Sequence, residues 1–301
     1  MSVLLRHWSF DPIVAVLAVT AIWHEVGLRR LLHRTADPSR RHRRRVRSLF
    51  FYGGLALTVV AIVSPLDYWS SSYFYVHMID HVVAAFFVPM LIVGGAPWTP
   101  LLFGLPVGAR RKVGRFLFLS RRAAVWRVIG RVIRDPWVAV IGFSGIMVLW
   151  HTPVMFDLAE NNNLVHVWLM HGSFLVFGTL FWLQIIPSSP ARPARGGIWQ
   201  IGAIIFVNLV MTILAMSMSI LTTTSWYSVY AHVPGVSLAP FPDQQIGAAI
   251  LWVCGDFWAL PTLSVVIRRT VEREGSFSNL VDRVMSRRSA NWITRGITSE
   301  G

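Results

Sequence analysis

The sequence predicts an all-α polytopic membrane protein with seven transmembrane helices, its N-terminus outside and its C-terminus cytoplasmic. Three observations carry that prediction. The 301 residues are 54% hydrophobic and only 14% charged, with mean hydropathy +0.54; a soluble domain carries about 25% charged residues. Seven mostly apolar runs approach the ~20 residues that a spanning helix needs. The loops between those runs alternate in charge.

The runs lie near 12–32, 47–66, 77–97, 136–154, 164–186, 198–221 and 245–267. The first is long, ends in arginines and is followed by no A-x-A cleavage site, so it reads as a span and not as a signal peptide. Spans one and two are joined by "RRLLHRTADPSRRHRRRVR", and spans three and four by a segment containing "ARRKVGRFLFLSRRAAVWRVIGRVIRD". Arg192 and Arg195 lie in the fifth-to-sixth loop, and Arg268 and Arg269 follow span seven. The alternate loops, 67–76, 155–163 and 222–244, hold no Lys or Arg but contain Asp67, Asp157, Glu160 and Asp243. That asymmetry sets the orientation. It also explains the net charge of +14 as topology plus attraction to anionic membrane lipid, and argues against nucleic acid as a partner.

Residues 1–267 form one membrane domain, and 268–301 a polar cytoplasmic tail with a weak helical pattern near 277–288. In 110–134, Val113, Phe116, Leu117, Val125, Val128, Ile129 and Val132 recur at helical spacing among arginines. This predicts an amphipathic helix on the cytoplasmic surface. The prolines and glycines of "GAPWTPLLFGLP", 95–106, interrupt any straight helix leading into it. The single cysteine, Cys254, excludes a disulfide framework and a cysteine metal cluster. The only lysine, Lys112, lies in a loop, which excludes a retinal Schiff base. No Walker or GxSxG motif is present.

Topology gives each histidine a depth. His77, His81, His151, His166, His171 and His232 all fall at or just beneath the outer face, on four segments. His77 and His81 are four apart and share one helix face, so two imidazoles can grip one metal ion there. His151 and His166 are further candidate ligands. His171 is a weaker one, because on an α-helix it stands about 140° around from His166. In "MTILAMSMS", Met211 and Met218 share a face, and Met216 and Met218 lie near the outer end. Thioether with imidazole favours copper, Cu(I) above all, over hard cations; zinc suits the histidines alone. The competing reading makes the methionines core filler and the histidines packing residues, although ionisable groups within a membrane are costly and usually functional. Asp80 is placed to orient a ligand histidine. His24 and Glu25 read as a hydrogen-bonded pair near the cytoplasmic side, Asp243 as a helix cap, and Asp256 as a buried carboxylate without an evident partner.

With these residues in view, the chain resembles the multi-span CtaG family of caa-type cytochrome c oxidase assembly factors. This family is distinct from the single-span cysteine-bearing copper protein of the same name. The matching stretches run in order: "HMIDHVVAAFFVPMLIVGGAP" at 77–97, "WHTPVMFDLA" at 150–159, "HVWLMHGSFLVFGTLFW" at 166–182, "MSMSILTTTSWYSVY" at 216–230 and "DQQIGAAILW" at 243–252. The family pattern maps onto His77, His81, Trp150, His151, Pro153 and His166. It often carries Gln or Glu where this chain has Asp80, and a bulkier apolar residue at Val82. The resemblance implies a non-enzymatic role in assembling haem–copper cytochrome c oxidase, in forming its histidine-bound copper centre, with the oxidase subunits as partners in a bacterial plasma membrane. An open surface cluster at the outer face, in a monomer or a homodimer sharing the ion, would suit transfer by ligand exchange. The alternatives are a copper transporter or channel, which needs ligands continuing through the membrane, and a haem-binding redox protein, which would show a visible absorption band.

Overall fold

The computed structural model describes residues 7, 8 and 11–274; the helical pattern near 277–288 lies outside the described residues. Helix α1 spans Ile13–His33 and α2 Pro38–Val63. A short α3, Pro65–Ser70, precedes α4, Phe74–Gly95. Next come α5 (Trp98–Gly104), α6 (Val107–Leu119), α7 (Ala124–Ile133), α8 (Pro136–Trp150) and α9 (Pro153–Glu160). Helix α10 is Val165–Ile185, α11 Gly197–Ser219 and α12 Pro240–Glu274. No β-strand occurs among the described residues.

Local chemistry explains the starts. Asp37 and Asp135 cap α2 and α8 by accepting from the amides two and three residues on, and a proline follows each at the first helical position. Asn162 accepts from the amides of Leu164 and Val165 at the head of α10. At the end of α4, Ala96 turns the chain with a left-handed φ of 48°, and the predicted interruption at 95–106 is a break followed by α5. The predicted amphipathic segment is two helices, α6 and α7, joined by a tight turn at Arg121–Ala123. No residue of α7 is buried.

Five helices are long and apolar enough to cross a membrane: α2, α4, α10, α11 and α12. A sixth crossing follows if the Arg121–Ile133 and Pro136–Trp150 pair, bent by 72°, is one span. Two expected spans depart from the simple pattern. Helix α8 has only 15 residues, because Asp135 with Pro136 starts it abruptly and His151 ends it. Helix α1 has 21 residues but carries Glu25, Arg29 and Arg30 in its second half.

Helix α4 is the central element: 67% of its apolar window is buried, against 28–44% for the other four. It packs against α2, α10 and α12. The contact with α12 is close because Gly247 faces α4; a Cβ there would lie 2.5 Å from Phe74 Cδ1 and 2.9 Å from Met78 Cγ. Asp243, one turn earlier, does not cap its own helix as the sequence suggested. Its buried carboxylate accepts from the backbone amides of Phe74 (2.8 Å) and Tyr75 (2.9 Å), and so caps α4 from across the bundle. The first-turn amides of α4 have no cap of their own, since Tyr73 supplies none.

Two sets of polar groups away from this region find partners. Asn208 Nδ2 donates to Asp256 Oδ1 at 3.3 Å, so the carboxylate expected to stand alone is paired between α11 and α12. His24 and Glu25 are linked through Tyr52, whose hydroxyl donates to Glu25 Oε2 (2.8 Å) and lies 3.1 Å from His24 Nδ1.

The α4–α12 contact gives a test. Gly247→Val forces a side chain into the Phe74 ring and is expected to destabilise the protein by about 1–3 kcal/mol. Asp243→Ala leaves the buried Phe74 amide and the half-buried Tyr75 amide unpaired, at about 1–3 kcal/mol. Thermal unfolding in detergent should show both midpoints lowered; an unchanged midpoint for Asp243→Ala would remove the cross-bundle cap from the account.

Candidate metal centre

The ligand candidates converge at the end of the bundle opposite the arginine-rich loops. His77 and His81 stand in the first two turns of α4 and are fully buried. Their Nε2 atoms lie 2.5 Å apart, as the i, i+4 spacing requires of rings on one face. His151 ends α8. Its Nδ1 sits 2.6 Å from the Met147 carbonyl. A carbonyl only accepts, so Nδ1 carries the proton and Nε2 keeps its lone pair. That Nε2 is buried and has no hydrogen-bond partner, and the ring centroid lies 5.3 Å from that of His81.

His166 and His171 do meet, which corrects the separation expected of an α-helix. Residues Val165–His171 form a π-helical segment. Its i→i+5 hydrogen bonding stacks residues five apart, where an α-helix would splay them. The two ring centroids are 4.6 Å apart, and His166 stacks on His77 at 5.1 Å. A second π segment, Val83–Phe87, follows His81 in α4.

Two carboxylates join the imidazoles. Asp80 Oδ2 is 3.2 Å from His171 Nε2. Glu160, at the end of α9, places Oε1 3.2 Å from His77 Nδ1 and 3.4 Å from His166 Nδ1. Burial pushes the Glu160 carboxyl up to about 8. Potential ligand atoms within 4.8 Å of one another fall into two sets, His77–Glu160–His166 and Asp80–His166–His171. Buried nitrogens and oxygens of all seven residues lack hydrogen-bond partners. Donors desolvated together and left unpaired are costly; a cation would satisfy them at once, and the imidazole–carboxylate mixture suits copper or zinc better than calcium or magnesium.

The methionines sit apart from one another. Met218 is buried and its Sδ accepts from the Tyr227 hydroxyl at 3.2 Å; the same hydroxyl lies 3.0 Å from the His151 carbonyl. Met216 is half-buried, and two residues on a helix point about 200° apart. His232 is exposed on its loop, unlike the buried histidines.

Sequence reasoning passed over Glu160, Gln244, Tyr227 and Phe156. Gln244 is fully buried; its Oε1 accepts from Trp226 N (2.6 Å) and its Nε2 donates to the Met218 carbonyl (2.7 Å). This fixes the 222–230 loop over the site. Phe156 lies 4.7 Å from His77 and 4.2 Å from Tyr227, and Phe174 lies 4.9 Å from His81. These rings cover His77 and His81, so the cluster is more enclosed than the open surface site that was expected, although His166 keeps 12% of its side chain exposed. Trp150 Nε1 donates to Ser173 Oγ at 2.8 Å, fastening the end of α8 to α10.

A family model described as cytochrome c oxidase caa3 assembly factor (Caa3_CtaG) matches residues 22–273. The chain belongs to the Caa3_CtaG family. Uncharacterized proteins of Mycobacterium bovis and Mycobacterium tuberculosis are each 28% identical over 274 residues, covering 87% of this chain and 39% of theirs. One from Mycobacterium leprae is 26% identical over 220 residues, covering 71% of this chain and 32% of its own. The chain thus spans about two fifths or less of the length of these relatives. No solved structure matches it. Every motif that carried the resemblance has a place at the site: the HMIDH stretch on α4, the WH step at the end of α8, the histidines of the π segment and the DQ pair that caps α4 and holds the loop.

Because imidazoles and carboxyls bind metal only when deprotonated, metal should be lost on acidification. Chelator competition at pH 7.5 and 5.5 is expected to show weaker binding at the lower pH, with the greatest change in the acid limb of the imidazole range. Equal affinity at both would exclude these histidines as the principal ligands.

Proposed function

We propose that this chain is a non-catalytic assembly factor that holds copper on the buried histidine cluster and delivers it to the histidine-bound copper centre of a haem–copper cytochrome c oxidase. The family supports the oxidase as client. The convergence of His77, His81, His151 and His166 at one end of the bundle, each with a buried ring nitrogen that has no hydrogen-bond partner, is the single observation that carries the metal. In this reading the chain crosses the bacterial plasma membrane seven times, α1 and the bent α7–α8 pair included, with the N-terminus outside. The positive-inside distribution then puts the cluster at the outer face, where it can meet the oxidase's membrane subunits. Cu(I) is the favoured cargo, and a homodimer is compatible with the arrangement. His171, Asp80 and Glu160 complete or orient the ligand set; Met218 is the thioether near it.

A copper channel is the less favoured reading. The donors are gathered at one end of the bundle, and the other end offers only the Glu25–Tyr52–His24 chain and the Asp256–Asn208 pair, both already hydrogen-bonded.

The test is copper content. Detergent-purified protein loaded with Cu(I) and desalted is expected to retain copper, and His77→Ala/His81→Ala to lose most of it. In cells carrying that double variant, the oxidase should assemble with haem but lack copper at its histidine-bound centre, with activity reduced at least tenfold. Equal copper in both proteins, or none in either, would end the metal assignment.

A further inference from the structure

At the opposite end of the bundle, the loop before α11 and the last turns of α12 enclose a cleft of about 460 Å³. Four arginines line it: Arg192 and Arg195 from the loop, Arg269 and Arg273 from α12. Arg269 and Arg273 are four apart, on one helix face. The neighbouring carboxylate, Glu272, is taken by Arg268 at 2.7 Å, and among the described residues no ion pair involves the four lining arginines. The floor carries Gly196 and Gly197, where α11 begins with no side-chain cap, so the first-turn amides beside the cleft lack a side-chain partner. Close packing makes the floor: a Cβ on Gly197 would collide with Thr270. Gln200 closes one wall, its Nε2 donating to the Gln184 carbonyl at 2.9 Å.

Positive-inside topology accounts for arginines on this side of the membrane. It does not account for four of them surrounding one cavity with no ion-pair partner among the described residues, next to an uncapped helix start. Guanidinium forks and helix-start amides share a preferred ligand, the phosphate oxyanion. Basic pockets between membrane helices on the cytoplasmic side suit anionic headgroups.

We propose that this cleft binds a phosphate group, supplied by the headgroup of an anionic phospholipid at the arginine-rich face. The site is separate from the histidine cluster and does not depend on it.

The test uses full-length protein, delipidated in neutral detergent, with the thermal midpoint read against added lipid. Diphosphatidylglycerol or phosphatidylglycerol is expected to raise the midpoint at low molar ratio, and phosphatidylcholine to leave it unchanged. Arg192→Gln/Arg195→Gln and Arg269→Gln/Arg273→Gln should each weaken the apparent affinity about tenfold or more. Arg121→Gln/Arg122→Gln, which removes the same charge elsewhere, should not. Inorganic phosphate and pyrophosphate form a parallel arm: a shift there, dependent on the cleft arginines but absent with lipid, would support the phosphate site and replace lipid with a soluble source. No shift with any phosphate-bearing compound, or an equal loss in the Arg121/Arg122 variant, would overturn the proposal. If the pair variants fail to fold, the wild-type comparison of anionic with zwitterionic lipid still decides it.

Discussion

The arrangement at the histidine cluster hangs on the Asp243 carboxylate, which accepts the amides of Phe74 and Tyr75 from 169 and 168 residues away in sequence. These amides are the orphan donors at the start of α4, and they lie one turn from His77. The buried carboxylate therefore sets both the height of α4 against α12 and the direction in which its first turn leaves the loop. Gly247 lets the two helices close to the distance at which that bond forms. Gln244, beside Asp243 on the same turn, reaches the other way and ties the Trp226 amide to the Met218 carbonyl. Two adjacent residues at the head of α12 thereby place the floor and the roof of the chamber.

Much of the bundle was legible because lipid leaves the backbone few options: apolar runs of sufficient length must be helices. The run boundaries near α10 and α11 fall within two residues of the observed helices. The His77–His81 pair was legible because α-helical spacing fixes its geometry. His166 with His171 was not, because their meeting needs an i→i+5 register, and nothing in "VHVWLMH" announces a π segment. Glu160 read only as a loop acid, since its value depends on α9 folding back over α4. Asp243 was read as the cap of its own helix, whereas it caps α4; its partners lie on another helix, and pattern reasoning sees only neighbours along the chain. Asp256 looked unpaired for the same reason; Asn208 is on α11.

The aromatic residues show how one composition serves two purposes. Many of the large apolar side chains on α7, α8 and α10 are exposed, as surfaces meeting lipid should be. Phe74, Phe156, Tyr227 and Phe174 instead turn inward and pack on one another and on the imidazoles. The hydropathy of the sequence does not separate these groups. The separation follows from the loop and α9, which fold over the end of the bundle and shield rings that would otherwise face water.

That roof has a kinetic consequence. His77, His81 and His151 have no exposed surface at all, so in the proposed role an ion among them would exchange only past the part-exposed His166 or under a lifted roof. Affinity and exchange rate then become independent quantities: the donors set the first, and the opening of Phe156 and Tyr227 sets the second. In the proposed role, such cover would slow the loss of a bound ion to soluble thiols even at modest affinity.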